Sequence, residues 1–356
     1  MIRIIEKQWT WYVINRVLIV GLGSIGKRHL RLARELLPAA DIRVLRHQPT
    51  NEIPEYANGC LFTVEDAMAF LPNIAVIASP APFHIATAQA LADAGVHLLI
   101  EKPLSDVLNG VTKLLNTSKR QATILMIGYN LRFLPSLQRF RELIGESVIG
   151  KILSVRCEIG QYLPSWRPGS DYRQGVTANL VLGGGALLEL SHEIDYLHWI
   201  FGEVEWVTST LSRQSGLEID VEDTAHLIMG FAPQVAGHQL IATLNLDLIR
   251  HDTTRVCVAI GENGSLRWDG LTGEVMVYRA GEEAWCELYC HQHIRDDSYQ
   301  AEWQHFLSCV TENKTPLISG EDGLKVLEII EAARSAASLG KRIAIAEKSK
   351  VNETIL

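Results

Sequence analysis

The stretch RVLIVGLGSIG, residues 16–26, decides the fold of the first half of the chain. Residues 16–20 form a short run that is apolar after Arg16 and rich in β-branched side chains, which predicts a short strand. Three glycines follow within six residues, and a helical pattern then runs from Ser24 to Leu37, where Pro38 stops it. The stretch therefore predicts a strand, a tight turn and a helix.

The same alternation continues outward from this stretch. Thr63 with Asp66 predicts a helix N-cap, Gly95 ends a helix that starts near Ile85, and Ser105 with Asp106 predicts the start of a further helix. Apolar runs separate these helices, at residues 42–45, 73–78, 97–100 and 123–127. Apolar strands separated by helices indicate a parallel sheet covered on both faces, with ligands at the carboxyl ends of its strands.

The second half of the chain has a different pattern. Long alternating runs occur at residues 152–159, 224–231, 239–248, 255–260 and 273–278. They predict an antiparallel sheet, and helices are expected at about 185–201, 298–311 and 322–339. We therefore expect an α/β Rossmann domain at 16–128, preceded by an N-terminal extension at 1–15. An α+β domain with a large, mainly antiparallel open sheet should follow at 129–356.

Composition narrows the class of protein. The chain has 356 residues and a formal net charge of -8, which argues against nucleic acid or an anionic membrane as the main partner. No apolar run reaches the length of a membrane span, and the charged N-terminus does not resemble a signal peptide. Six cysteines without a C-x-x-C pair are typical of reduced thiols, so a cytoplasmic location is expected.

One cluster contains residue types that can bind a metal ion: Cys286, Cys290, His291 and His293. The segment alternates like a strand, which would place the two cysteines on one face and the two histidines on the other. One metal ion cannot easily take ligands from both faces. We therefore predict no metal site.

The glycine motif predicts a dinucleotide site. Gly21 would allow the tight turn, Gly23 would let the backbone approach a pyrophosphate, and Gly26 would let the helix pack on the strand. Ser24 and Ile25 open the helix, whose free N–H groups and positive dipole end favour phosphate. The alternative is a glycine-rich turn that binds nothing.

Arg46 bears on the choice between NAD and NADP. It ends the second strand, where an acid would bind the ribose hydroxyls of NAD. A guanidinium there suits a 2′-phosphate, which favours NADP by a small margin. An arginine stacked on adenine would serve either cofactor.

Two further segments carry polar residues suited to proton transfer. Glu101-Lys102-Pro103 stands at a strand's carboxyl end, where a lysine can take part in proton transfer. In GGGALLELSHEIDYLHW, residues 183–199, three glycines precede a predicted helix on which Glu189, His192 and Asp195 share one face. A histidine between acids can act as a general acid or base. The alternative is a histidine with a structural role only, whose hydrogen bonds are made within a polar interface between the two domains.

Together these segments resemble the glucose–fructose oxidoreductase / inositol dehydrogenase (Gfo/Idh/MocA) family. The matching stretches are GLGSIG at 21–26, SPAPFH at 79–84, EKP at 101–103, GYNLRF at 128–133 and the glycine-rich segment at 183–199. The resemblance implies hydride transfer between a nicotinamide and a sugar or polyol carbon that bears an alcohol. It also implies assembly as a homodimer or homotetramer.

Roles for single residues follow from the matching motifs. Lys102 looks like the residue that handles the proton of the reacting hydroxyl, and His192 looks like the general acid/base, with Glu189 and Asp195 shaping the site. Further pocket residues implied by the same motifs are Ser79, Pro80, His84, Glu101 and Asn130. The chain departs from the family pattern at Glu189. The family often has its acid four residues before the histidine, whereas Glu189 is three residues before His192. The departure concerns Glu189 and leaves the match at His192 unchanged.

The segment at 161–173 bears on the substrate. It carries aromatic side chains that stack on sugars and arginines that bind phosphate or carboxylate: Tyr162, Trp166, Arg167, Tyr172 and Arg173. An anionic sugar, such as a nucleotide sugar or a sugar acid, fits this composition. A subunit-contact arm would have the same composition. A non-sugar substrate and a non-catalytic NAD(P) sensor are the alternative functions.

Overall fold

The computed structural model describes residues 13–49, 52–233, 238–292, 294 and 296–345. Most of the predicted N-terminal extension and His293 therefore lie outside the described residues. Among those described, no helix is both long enough and apolar enough to cross a bilayer.

The first half folds into a six-stranded parallel sheet in the order β3-β2-β1-β4-β5-β6. Its strands are β1 Arg16–Val20, β2 Asp41–Leu45, β3 Gly59–Leu61, β4 Ile74–Ile77, β5 His97–Glu101 and β6 Leu125–Gly128. Its helices are α1 Ser24–Leu36, α2 Val64–Phe70, α3 His84–Asp93 and α4 Val111–Gln121. The central strands are buried along almost their whole length, as expected for a sheet covered on both faces. The Rossmann prediction is confirmed.

The strand order fixes where a ligand can bind. The chain leaves β1 towards β2 on one side and returns to β4 on the other, so β1 and β4 flank the point where the order reverses. Open α/β sheets bind ligands at the carboxyl ends of the strands beside this point. The loops after β1, β4 and β5 all open there.

The second half contains a nine-stranded sheet in the order β14-β13-β12-β11-β7-β10-β9-β8-β15. Among the described strands of this second sheet, only β7 and β10 pair in parallel, so the prediction of a mainly antiparallel sheet is confirmed. Its strands are β7 Ile152–Gly160, β8 Val204–Ser212, β9 Thr224–Phe231, β10 Ile241–Asp247, β11 Thr254–Gly261, β12 Gly264–Asp269, β13 Glu274–Arg279, β14 Cys286–Cys290 and β15 Ile343–Ala344. Its helices are α5 Pro135–Gly145, α6 Ala186–Glu189, α7 His192–Phe201, α8 Asp297–Glu312 and α9 Gly320–Leu339.

The two halves are joined by more than the chain between them. Helix α8 packs against α1, and α9 packs against β6 and α4. The apolar core runs through both halves, with Trp268 and Trp303 among its largest fully buried side chains. The C-terminal helices therefore form part of the wall behind the first sheet.

Two predicted helices differ from the structure. The helix expected from Ser105 begins at Val111, because Ser105 Oγ accepts from the backbone of Val107 in a local turn. The helix expected at about 185–201 is divided into α6 and α7, with Leu190 and Ser191 between them. Glu189 and His192 thus belong to different helices.

Candidate active site

The glycine loop after β1 has the geometry that its sequence predicts. Gly21 has φ +88°, and a Cβ there would lie 2.9 Å from the backbone oxygen of Ala78. A Cβ on Gly26 would lie 2.3 Å from the Gly21 oxygen. A Cβ on Gly23 would meet nothing within 4 Å. Gly21 and Gly26 are therefore required by packing, whereas Gly23 leaves open space in front of the α1 N-terminus.

This open space belongs to a cleft of about 430 Å³. The sequence-predicted residues that line it are Gly21, Gly23, Ser24, Ile25, Ser79, Pro80, Glu101, Lys102, Arg167 and Glu189. Ser79 Oγ is buried and has no hydrogen-bond partner among the described residues. The glycine cradle, the α1 N-terminus and this unpartnered hydroxyl together fit a dinucleotide.

Lys102 and Glu189 meet across the cleft from opposite halves of the chain. Lys102 Nζ donates to the Glu189 backbone oxygen at 2.6 Å and to Oε1 at 3.2 Å. Thr177 Oγ1 donates to the other carboxylate oxygen at 3.2 Å. Burial acts to raise the pKa of Glu189, but the Lys102 ammonium and these hydrogen bonds outweigh it and hold that pKa below its usual value. Glu189 is thus an ionised carboxylate that fixes the ammonium.

His192 begins α7 and contacts the edge of Tyr129 at 5.5 Å between ring centroids. Its Nδ1 is buried and makes no hydrogen bond within the described residues. Burial first, then the charges of Lys102 and Arg255, hold the pKa of His192 well below its usual value. His192 is therefore neutral at pH 7, and its ring does not line the cleft.

Three other predicted site residues have structural partners and do not line the cleft themselves. Asp195 accepts from Arg132 Nε and Nη2 at 2.9 and 2.7 Å in a buried ion pair, and so does not share a face with Glu189 in the cleft. Asn130 donates to Ser298 at 2.8 Å. His84 lies within hydrogen-bond distance of the backbone oxygens of Ser79 and Pro103. It therefore supports two residues of the cleft wall but does not line the cleft itself.

Arg46 lies in a neighbouring cavity of about 470 Å³ rather than in the cleft. Lys27, Glu52 and Glu55 line the same cavity, and Leu22 lines both. The small preference for NADP rested on the absence of an acid near Arg46. The structure instead has Glu52 and Glu55 in the same cavity as Arg46.

The loop at 161–173 encloses a second cavity of about 280 Å³ beside the cleft. Trp166, Arg167 and Tyr172 line it, and Arg167 with Thr177 also lines the cleft. Tyr162 instead packs on His251, with ring centroids 4.0 Å apart. The predicted substrate loop is thus divided between cavity-lining and packing residues.

The two arginines of this loop differ in their partners. Arg173 donates to Asp171 and to Glu218 at 2.7–3.0 Å. The Arg167 guanidinium makes no hydrogen bond or ion pair with the described residues, and Arg167 lines both cavities. Arg167 is therefore the member of the pair available to a ligand.

Among the polar residues that line the cleft, sequence reasoning missed four, namely Arg28, His47, Thr177 and Tyr299. The Arg28 guanidinium lies 4.5 Å from the centroid of the Tyr299 ring, and Arg28 Nε lies 3.0 Å from Asp296 Oδ1 in an ion pair. Tyr299 is about 270 residues from Arg28 in the chain. Nothing in the local pattern of α8 indicates that it closes the cleft.

The predicted absence of a metal site concerns residues on β14. Cys286 and Cys290 are exposed there. Within the described part of the chain, no three side chains of the metal-ligating types are grouped to hold an ion.

Comparison with known families assigns the class of protein. Residues 15–129 match the oxidoreductase family with an NAD-binding Rossmann fold, and residues 141–345 match the C-terminal alpha/beta domain of the same family. The chain belongs to the Gfo/Idh/MocA oxidoreductase family.

Individual relatives agree with this assignment. Myo-inositol 2-dehydrogenase from Thermotoga maritima is 27% identical over 347 residues, covering 93% of this chain and 99% of the relative. A levoglucosan dehydrogenase structure with NADH and L-sorbose has a TM-score of 0.81 at 20% identity, covering 93% of this chain and 99% of that chain. The WlbA dehydrogenase of Bordetella pertussis, in complex with NADH and UDP-GlcNAcA, has a TM-score of 0.77 at 20% identity, covering 94% and 99%. These two structures establish a shared fold.

Proposed function

We propose that the protein is a dehydrogenase or reductase that interconverts an alcohol and a carbonyl on a sugar or sugar derivative, with NAD(P) in the cleft. The observation that carries this proposal is the position of Lys102 at the end of β5, opposite the glycine loop and held by Glu189. When bound, the nicotinamide supplies or accepts the hydride. Relatives named for myo-inositol and levoglucosan support the substrate class.

Lys102 is proposed to handle the proton of the reacting oxygen. An ammonium has three donors, and the Glu189 backbone oxygen and carboxylate accept two of these. The third is left for a substrate oxygen in the cleft. In the reducing direction, Lys102 donates this proton to the carbonyl oxygen as the hydride reaches carbon, and oxidation is the reverse.

Glu189 and His192 are proposed to support this transfer in different ways. Glu189 fixes the ammonium and keeps a negative charge beside it. His192 is a neutral group whose pKa the charge of Lys102 lowers, and the family resemblance implies that it is the general acid/base for the proton that Lys102 relays. Asp195 has no direct part in this scheme, because its carboxylate is bound by Arg132.

The second cavity is proposed to hold the part of the substrate beyond the reacting carbon. Trp166 and Tyr172 provide aromatic surfaces for a sugar ring, and Arg167 provides a cation for a carboxylate or phosphate. A relative in complex with UDP-GlcNAcA supports an anionic substrate. Assembly as a homodimer or homotetramer and a cytoplasmic location stay predictions from the sequence.

Cofactor choice is proposed to depend on the cavity that Arg46 shares with Glu52. Arg46 and Lys27 favour a 2′-phosphate, whereas Glu52 favours the free hydroxyls of NAD. Dissociation constants of NADH and NADPH for the native protein decide which group prevails.

The proposal is tested by a panel of polyols, neutral sugars, sugar acids and nucleotide sugars, each with NAD and NADP. Reduced cofactor should form with at least one sugar-type compound. Its formation only with non-sugar alcohols would reassign the substrate class.

A further inference from the structure

Glu101 ends β5 and lines the cleft beside Lys102, and the proposed mechanism assigns it no task. Its Oε2 accepts from the Lys102 backbone N–H at 3.1 Å, and its Oε1 lies 2.7 Å from Nε2 of the buried His29. Only 9% of the side chain is exposed. Gly128, its neighbour on β6, leaves the space that the carboxyl group occupies, because a Cβ there would lie 3.3 Å from Oε2. The carboxyl group is thus held in one orientation.

Trp303 determines which ring nitrogen of His29 carries the proton. Trp303 Nε1 lies 2.8 Å from His29 Nδ1, and both residues are 0% exposed. An indole N–H can only donate a hydrogen bond, so Nδ1 accepts it and carries no proton. The ring proton is therefore on Nε2, which donates to Glu101. With Nδ1 occupied in this way, the imidazole is neutral.

Glu101 consequently carries a negative charge that its hydrogen-bond partners among the described residues do not neutralise. Donation to both oxygens stabilises the ionised form of a carboxylate. Both donors, the imidazole and the backbone N–H, are neutral. Two cations that line the same cleft, Lys102 and Arg28, are bound by Glu189 and Asp296 instead.

The oxidised and reduced forms of the cofactor differ in the charge of the nicotinamide ring. The oxidised ring carries a positive charge, and the reduced ring does not. The proposed function places this ring beside Lys102, and Glu101 lines the same part of the cleft. An anion held largely out of water attracts the oxidised ring and has little effect on the reduced one.

We propose that Trp303, His29 and Glu101 form a buried chain of hydrogen bonds that holds an anionic carboxylate beside the nicotinamide. This charge raises the affinity of the cleft for the oxidised cofactor relative to the reduced one. Glu101 determines the selectivity, and His29 and Trp303 are positioning residues that act through it. The inference rests on the proposed function, which places the nicotinamide at Lys102.

The first experiment is isothermal titration of the oxidised and the reduced cofactor into the native protein and into Glu101→Gln, with NAD or NADP, whichever binds more tightly. The substitution keeps the shape of the side chain and removes its charge. The ratio of the dissociation constants, oxidised over reduced, should rise by at least about tenfold. Glu312→Gln, which removes a charge from the exposed end of α8, should leave the ratio unchanged.

Two results of this titration would overturn the proposal. An unchanged ratio would show that the charge of Glu101 does not act on the nicotinamide. Equal weakening of both forms would show that Glu101 instead binds a group that the two forms share, such as a ribose hydroxyl.

The second experiment tests the positioning residues without cofactor or activity. The chain has 12 histidines, and in protein labelled with ¹⁵N-histidine the signals of His29 are those absent from His29→Gln. We expect a neutral ring that is protonated on Nε2. A ring protonated on Nδ1, or on both nitrogens, would contradict the chain of hydrogen bonds.

The third experiment separates the hydrogen bond of His29 from its packing. A glutamine at this position can still donate an N–H to Glu101, whereas a leucine cannot. The ratio of dissociation constants should stay close to native in His29→Gln and should rise in His29→Leu, as in Glu101→Gln. Equal ratios in the two folded variants would show that His29 acts by packing alone. Should either variant fail to fold, the Glu101→Gln titration decides.

Failure of this inference is distinguishable from failure of the proposed function. If neither form of the cofactor binds, the cofactor site itself is wrong and the inference falls with it. If both forms bind and a sugar is turned over, but Glu101→Gln leaves the ratio unchanged, only the role of Glu101 is wrong.

Discussion

The two walls of the cleft are determined in different ways. The wall of residues 21–26 and 78–81 is mostly backbone, held by close approaches such as Gly26 to the Gly21 oxygen. The opposite wall, which includes Arg167 and Glu189, is built from short turns held by contacts such as the Leu187 N–H to Glu222. We call the first the cofactor wall: it depends on local sequence, which suits a cofactor that stays the same when the substrate differs. We call the second the substrate wall: it depends on distant residues and can vary with the substrate.

The largest effect is expected where the two walls meet. Lys102→Met removes the proton donor while leaving the glycine loop intact. Turnover should fall by about two to four orders of magnitude, the usual contribution of a general acid or base. Cofactor affinity should stay close to native. Turnover and the dissociation constant of the reduced cofactor are the two measurements.

Lys113→Met is the matched control for this variant, because Lys113 is exposed on α4. It should leave both quantities unchanged. His192→Ala provides a separate test of the acid/base role and should also lower turnover without loss of cofactor. Near-native turnover in both Lys102→Met and His192→Ala would refute the catalytic assignment.

The cofactor wall can be altered alone at Gly23. A Cβ there meets no protein atom within 4 Å, so Gly23→Val should fold. Its side chain would occupy the space in front of the α1 N-terminus, and we expect cofactor affinity to fall by about a hundredfold. Isothermal titration measures the change, with Gly216→Val in an exposed loop as the control. Unchanged affinity in a folded Gly23→Val protein would mean that the loop has only a structural role.

The substrate wall can be altered alone at Arg167. Arg167→Gln should raise KM about ten- to a hundredfold for an anionic sugar, because a charge-assisted hydrogen bond is lost. It should have little effect on a neutral sugar. Arg173→Gln is the control, since Arg173 is already bound by Asp171 and Glu218. Equal effects of the two substitutions would argue for a structural or subunit-contact role of the loop.

The smallest effect is expected at the far end of the cofactor wall. Arg46→Ala should lower the preference for NADPH relative to NADH by about tenfold, and Glu52→Gln should raise it. The ratio of the two dissociation constants is measured for the native protein and each variant. A ratio that neither substitution moves would show that this cavity does not contact the adenosine ribose.

Local sequence was sufficient for the cofactor wall. The strand, the glycine turn and the helix at 16–36 follow from hydrophobic pattern and backbone sterics, and the Thr63 cap forms as predicted with Asp66. The start of α4 was predicted wrongly because Ser105 forms a local turn that competes with a helix N-cap.

The substrate wall required information that no local pattern contains. Helical spacing predicted one helix with Glu189 and Asp195 on one face, but a break at Leu190 and Ser191 separates them. Asp195 then pairs with Arg132, 63 residues away. Tyr299 lines the cleft only because α8 packs on α1. Such long-range pairings come from the fold as a whole.

The central claim is hydride transfer from a sugar-type alcohol to a nicotinamide in this cleft. The most direct measurement supplies the substrate panel with deuterium at the carbinol carbon and analyses the reduced cofactor by mass spectrometry. The account predicts deuterium in the reduced cofactor with the native protein and almost none with Lys102→Met. Binding of the cofactor without any transfer across polyols, sugars, sugar acids and nucleotide sugars would contradict it and would indicate a non-catalytic NAD(P)-binding sensor.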